Sequence, residues 1–206
     1  MSYRDIATSE IDRNSPVTEP LLTALRDNPI GIAQRDSGAP KVQPPSFAVF
    51  DSPGSNTFTV PDGVTRLRVT LIAGGGGGSG EDVGGTVQAG NNGADSTIND
   101  GSTTYTAEGG AGGGTSSDGA AGGASNGDLN LSGDGRDCSA PYAPHYGAGG
   151  RAGQVGYDGG GAGCCVVNID VAEGDSLSYT VGGGGSADAT AINAEDGRNG
   201  AVIIEY

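Results

Sequence analysis

The sequence predicts an all-β protein. It reads as an antiparallel β-sandwich with glycine-rich, polyproline-II-like loops, preceded by an extended N-terminal arm with one short helix. Three observations lead there. Short segments alternate apolar and polar residues with the period of two that half-buried strands require. Glycine fills 42 of 206 positions, and only Gly31, Gly38, Gly54 and Gly63 precede residue 74. Charge divides the chain as well: residues 1–50 are nearly balanced, so the remainder holds almost all of the formal net charge of -15. Two parts follow, an arm and linker over 1–46 and a glycine-rich body over 47–206.

In the arm, Ser15-Pro16 reads as an N-cap followed by proline at the first helical position, where its missing N–H costs nothing. Val17, Leu21 and Leu25 follow at i, i+4 and i+8 with Leu22 beside them, one short apolar stripe. Pro20 lies in or near the first turn, and Asn28-Pro29 ends the helix. A helix of about ten residues is marginal alone in water. The stripe therefore docks, either on the chain's own sandwich or on a different protein, and the second is the preferred reading. Pro29, Pro40, Pro44 and Pro45 predict an extended linker or strap after it.

The body opens with Asn56–Val60 as a strand, then Pro61-Asp-Gly63 as a turn. Thr65–Leu71 places Leu67, Val69 and Leu71 on one face and Arg66, Arg68 and Thr70 on the other. Cys165, Val167, Ile169 and Val171 alternate with Cys164, Val166, Asn168 and Asp170 in the same way. Ala172–Asp175 turns the chain into a returning strand carrying Leu177, Tyr179 and Val181, and Gly200–Tyr206 is the last strand. Half-apolar strands of this kind suit two packed antiparallel sheets. Glycine runs abut them: 74–78, 109–114, 147–150, 159–163 and 182–185. Five flexible linkers in so small a body would lose much backbone entropy on ordering. Glycine also lets backbones approach closely, so the runs read as polyproline-II-like segments packed side by side, with N–H···O and Cα–H···O contacts between them.

Composition removes several function classes. Leu, Ile, Val and Phe make up only about 17% of the chain, low enough to signal disorder in a highly charged sequence unless glycine itself builds structure. With 10 Lys+Arg against 25 Asp+Glu, the charge argues against nucleic acid and anionic membranes, which need clustered positive charge. No run approaches the ~18 apolar residues of a membrane span. Gly123-Ala-Ser125-Asn-Gly127 matches a nucleophile-elbow pattern, but that motif needs a hydrophobic strand before it and a helix after it. No catalytic residue is assigned, and His145 is the single histidine.

Cys138, Cys164 and Cys165 form an odd set with an adjacent pair, which gives no disulfide framework. A zinc site from these and His145 is disfavoured because neighbours on a strand point to opposite faces. Cys165 reads as a core residue, and Cys164 as facing the other sheet surface or a subunit neighbour. Asp128, Asn130 and Asp134 reproduce the first half of a calcium loop, but Ser139 stands where the closing bidentate glutamate belongs. They remain weak Ca2+ candidates, with an acidic solvated loop as the alternative. Tyr142, His145 and Tyr146, held by Pro141 and Pro144, form the sole aromatic concentration, with Tyr157 not far along. Tyrosine offers a flat apolar face and a hydroxyl for stacking on sugars or proteins. With Arg136 and Asp137 these are candidate receptor-binding residues; the alternative is that the rings plug a loop-built satellite core.

The order of blocks resembles a family. Phe58-Thr-Val60-Pro61-x-Gly63-Val64-Thr65, then Leu67-Arg68-Val69 and Leu71-Ile72 before the glycines, is similar to the opening of glycine-rich tail-fibre and adhesin domains of tailed bacteriophages. Glu173-Gly174-Asp175-x-Leu177-x-Tyr179-x-Val181 followed by glycines resembles their second strand-turn-strand block, and Asp196–Tyr206 their C-terminal strand. Ser15–Ala33 looks like an N-terminal module that recurs in virion proteins. Residues 115–147 depart from the pattern and read as a variable loop insert. The resemblance implies a non-enzymatic virion protein, a fibre, spike or tail-tip adhesin. Its glycine-rich loop tips would meet a host surface glycan or protein, and its arm, through Val17, Leu21, Leu22 and Leu25, would dock on other virion proteins. It also implies a homotrimer, and assembly in the bacterial cytoplasm, consistent with a start that lacks a secretory profile. The other reading is a capsid decoration or head-fibre protein with no receptor-binding role.

Overall fold

The structure is a computed structural model that describes residues 4–11, 16–34, 45–133 and 146–206. The chain divides into two units, one of residues 1–44 with Pro61–Gly63, the other of residues 45–60 with 64–206.

In the N-terminal unit a 3-10 turn (Thr8–Glu10) precedes helix α1 (Glu19–Gln34). The helix begins and ends later than its sequence signals predict. Thr18 caps it: its carbonyl accepts the Leu22 N–H at 3.0 Å and its hydroxyl the Leu21 N–H at 3.4 Å. Pro20, not Pro16, therefore takes the early position where a missing N–H is harmless. Pro29 lies inside α1 and does not end it. Asn28 does not act as a stop signal either, because its side chain is engaged with the backbone of Arg4 as both acceptor and donor. Any extended linker thus starts after Gln34; Pro40 and Pro44 lie outside the described residues. The stripe divides too. Leu21 is buried together with Ala24 and Asp27, whereas Val17, Leu22 and Leu25 are exposed.

The body contains β1 (Phe47–Phe50), β2 (Gly54–Thr59), β3 (Arg66–Ile72), β4 (Gly80–Glu81), β5 (Val87–Gln88), β6 (Ser96–Asn99) and β7 (Thr104–Ala107). After these come β8 (Ala124–Ser125), β9 (Leu129–Leu131), β10 (Cys164–Asp170), β11 (Ser176–Val181) and β12 (Ala201–Glu205). Two five-stranded sheets run β1-β12-β3-β10-β9 and β2-β11-β6-β7-β8, all pairings antiparallel, and β4-β5 form a separate hairpin. The alternation read from sequence sets the inner faces. Leu67, Val69 and Leu71 meet Phe58, Leu177, Tyr179 and Val181 across a core that also takes Ile98, Cys165, Val167, Ile169, Val202 and Ile204. Phe50 closes one end, 4.5 Å from the Tyr179 ring and edge-on to Phe58 at 6.3 Å. Within the 115–147 stretch, β9 and β8 supply one of the two edge strands of each sheet, so its described part belongs to the framework.

Beyond the sandwich the glycine segments pack together. Successive N–H groups of Gly74–Ser79 donate to Ala94, Arg198, Gly160, Asn91, Glu195 and Tyr157, at 2.8–3.0 Å. The partner segment thus repeats every third residue. A three-residue turn is the polyproline-II period. Carbonyls obey the same rule: Gly74 and Gly77 accept from Gly110 and Gly113, Gly76 and Ser79 from Gly150 and Gly153, and Gly75 from Gly185. The central segment therefore has six neighbours: 90–94, 109–113, 157–163, 147–153, 195–200 and 182–186. Those neighbours bond to one another in that order and close a ring, for example Gly90 to Gly113, Gly160 to Ala111, Gly159 to Gly150, Arg198 to Ala148, Gly197 to Gly185 and Asn91 to Ser186. A further segment, 119–123, lies against 109–113 and 157–163 through Ala111 to Ala120 and Gly122 to Gly161. A Cβ on any of Gly74–Gly78 would fall inside a neighbouring carbonyl oxygen. That explains why five glycines stand unbroken there.

Candidate recognition surface

Each glycine segment leaves the sandwich at a strand end, as 74–79 does from β3 and 182–186 from β11, and returns through a partner segment. Tips are thereby set at the far end: 82–86 between β4 and β5, 114–118, 154–156 and 187–194. Three of the tips lock together by a closed cycle of backbone hydrogen bonds. Glu81 donates to Gln154, Gln154 to Ile192 and Ile192 to Glu81, at 2.9–3.1 Å. Asp82 organises its own hairpin by accepting from the Gly84 and Thr86 N–H groups and from the Gln88 amide. Those bonds hold its carboxyl below the usual range. Asp188 is likewise held down by the hydroxyl and N–H of Thr190, while the nearby charge of Asp82 pushes the other way. The two carboxylates therefore stay ionised at neutral pH, near enough for the charge of one to act on the other.

Among these acids three aliphatic side chains face solvent: Val83, 96% exposed, Val155, 68%, and Ile192, 37%. Val155 also sits at φ 58°, a conformation costly for a β-branched residue. None of the three follows from motif reading. For Val83 and Val155 a signal was available, since each is an isolated aliphatic among glycine and polar residues, whereas Ile192 stands among alanines.

The residues expected to recognise a receptor are distributed differently. Arg136, Asp137, Tyr142 and His145 lie outside the described residues. Tyr146 is half-buried and donates its hydroxyl to Asp51 at 3.0 Å, at the sandwich end of segment 147–153. Burial, then the Asp51 contact, pushes its phenol upward. Tyr157 is also half-buried, but its backbone is tied to Ser79 near the tips. Antiparallel pairing of 147–153 with 157–163 places the two rings some six residues apart, about 19 Å in a polyproline-II rise. The structure does not bring them together.

Asp128 and Asn130 already have partners. Asp128 accepts from the backbone and side chain of Asn168, and Asn130 bonds Gly127 in both directions. Asp134 lies outside the described residues, among which no group of three or more His, Cys, Asp or Glu could hold a metal ion. Ser125 lies on β8, paired with Thr106, and Asn126 turns the chain at φ 66° where a nucleophile elbow would need a helix. Cys165 is a buried free thiol, pushed up to about 11 chiefly by burial. Cys164 is buried too, and it is disulfide-bonded to a partner outside the described residues. Cys164 lies on the opposite face of β10 from the core residue Cys165, as the alternation predicts, while its disulfide departs from the expectation that the cysteines give no disulfide framework. No family model matches this chain, and no curated protein matches it.

Proposed function

We propose that this protein is a non-enzymatic component of a bacteriophage virion. In this reading it is a fibre, spike or tail-tip adhesin that meets a host surface glycan or protein through its glycine-segment tips. Its N-terminal arm docks on other virion proteins, with the exposed Val17, Leu22 and Leu25 of α1 and the residues before it as the contact, and it works as a homotrimer. The proposal rests on the likeness of its blocks to glycine-rich phage adhesins. The observation that carries it is the far end of the bundle, where tips fixed by the Glu81–Gln154–Ile192 cycle present Val83, Val155 and Ile192 to solvent. A surface ordered before contact loses little conformational freedom on binding, which suits an attachment organelle.

The test is competition for adsorption. Purified chain is expected to slow adsorption of the particle to host cells, and the double variant Val83→Asp, Val155→Asp to lose that effect with its melting temperature unchanged. Aspartate tolerates the left-handed region better than valine, so the variant should fold. Equal competition by both proteins would remove the tips from the contact. No competition by either, with the chain located on the capsid shell, would replace this reading with decoration.

A further inference from the structure

The outward face of the sheet β2-β11-β6-β7-β8 is of one chemical kind. Alternation sends Phe58, Leu177, Tyr179, Ile98 and Ala107 into the core, so the residues beside them point away from it. Register then lines up Ser55, Thr180, Thr97, Thr106 and Ser125 in a row across all five strands. Two residues further along, Thr57, Ser178, Asn99 and Thr104 form a second row. Every position in both rows carries a hydroxyl or an amide, and none carries a charge or a large apolar group. None of these residues is buried, and Ser55, Thr57, Ser178 and Thr104 are exposed. Side chains on adjacent strands hold one another. The Ser55 and Thr180 hydroxyls lie 2.8 Å apart, and the Asn99 amide donates to the Thr104 hydroxyl at 2.6 Å. The other sheet differs, since its outward face carries the ion pairs Arg66–Asp170 and Arg68–Glu205. A charge-free face is therefore particular to this sheet, in a molecule whose formal net charge is -15.

We propose that this face binds a neutral, extended glycan strand of the β(1→4)-linked kind, laid across the strands along the rows. Three properties select that occupant. Size is the first. Five strands ~4.8 Å apart and two rows ~6.8 Å apart cover about 24 Å by 14 Å, roughly 330 Å². A stable protein interface takes ~800 Å² from each partner, and it centres on aromatic or Arg anchors, among which Ser and Thr are under-represented. Charge is the second. An acidic molecule repels phosphate and carboxylate groups, and these rows offer no cation to hold them, so a neutral ligand is the one admitted. Hydrogen bonding is the third. Ser and Thr hydroxyls both donate and accept, as sugar hydroxyls do, so each contact can form in either sense. A β(1→4) chain is a flat ribbon whose sugar repeat is close to the strand spacing, so successive sugars meet successive strands. Threonine is stiff at χ1, which keeps the rows ordered before contact.

The experiment titrates the full chain, labelled with 15N, with cellopentaose and chitopentaose as neutral probes and with a pentamer of β(1→4)-linked glucuronate as the charged one. Saturable shifts are expected at the amides of Thr97, Thr106 and Thr180 with a neutral probe, and none there with the glucuronate. The double variant Thr97→Val, Thr106→Val removes two hydroxyls from the middle of a row and keeps the shape and strand preference of both residues. It should weaken binding at least tenfold with an unchanged melting temperature. Absence of shifts at these amides at millimolar concentrations of both neutral probes would overturn the proposal. So would equal binding by the double variant, or equal binding of the glucuronate. Shifts confined to Val83, Val155 and Ile192 would place the glycan at the tips and remove it from this face. Shifts at the row amides that grow with protein concentration alone would mark a second copy as the occupant and overturn the glycan assignment. No host cell or particle enters the measurement, so it stands or falls apart from the adhesin reading.

Discussion

At the residue scale, glycine has two different uses here, and substitution separates them. Gly76 lies in the central segment, where an added Cβ would overlap the carbonyl of Ala111. Backbone cannot yield as a flexible side chain can, so Gly76→Ala should cost at least the ~3 kcal/mol at the upper end of overpacking. Gly101 has φ +95° and nothing within 4 Å of an added Cβ, so Gly101→Ala should cost only the ~1–2 kcal/mol of a left-handed backbone. Thermal unfolding of the two variants checks the order; equal losses would contradict the packed bundle. Asp100 supports a second prediction. It accepts from the N–H groups of Ser102 and Thr103 and from the hydroxyls of Ser102 and Tyr105, which lower it from 3.8 to about 2. A carboxylate depressed in the folded state stabilises above its unfolded value and loses that contribution as pH falls through its folded one. Asp100→Asn should therefore flatten the acid side of the stability profile between about pH 4 and pH 2, as measured by denaturant titration at each pH.

Among the elements, strands were more legible in the sequence than the helix. The alternation of Leu67, Val69 and Leu71 located β3 to within a residue, because a strand half-buried against a core must alternate. The same held for β10, β11 and β12. Strands β1 and β4 to β9 were not read: Phe47–Phe50 has no polar alternation, β6 and β7 hold only four residues each, and two- or three-residue strands are too short for a period. Helix α1 begins and ends later than its signals, because Thr18 is its cap and one interior proline removes a single bond from a 16-residue helix. Pro29→Ala restores the N–H and removes the ring's clash with the preceding turn. It should slow amide exchange across the last turns of α1, and unchanged exchange there would mean the proline already sits without penalty.

For the whole molecule, the central segment is the deepest part of the bundle, enclosed by a ring that is itself bonded to the sandwich strands. Amides of Gly74–Ser79 should therefore exchange with solvent only on global unfolding, as slowly as those of β3 and much more slowly than Val83 or Val155 at the tips. Exchange at coil rates in Gly74–Ser79 would mean independent loops. Sequence alone determined that glycine gathers at strand ends, that the strands form a sandwich, and that two runs, 74–78 and 182–185, have no interruption. Those properties are local, written in period and composition. Which segment lies at the centre, and that Val83, Val155 and Ile192 share one end while Tyr146 and Tyr157 do not, was decided only by the tertiary structure. Glycine itself carries no side chain to encode a partner, and its backbone hydrogen bonds are offered alike by every glycine. Neighbours are selected by the exits of the strands and by a few polar side chains set among the glycines, such as Asn92 accepting from Gly112, Asp95 from Gly109 and Asn199 from Gly184.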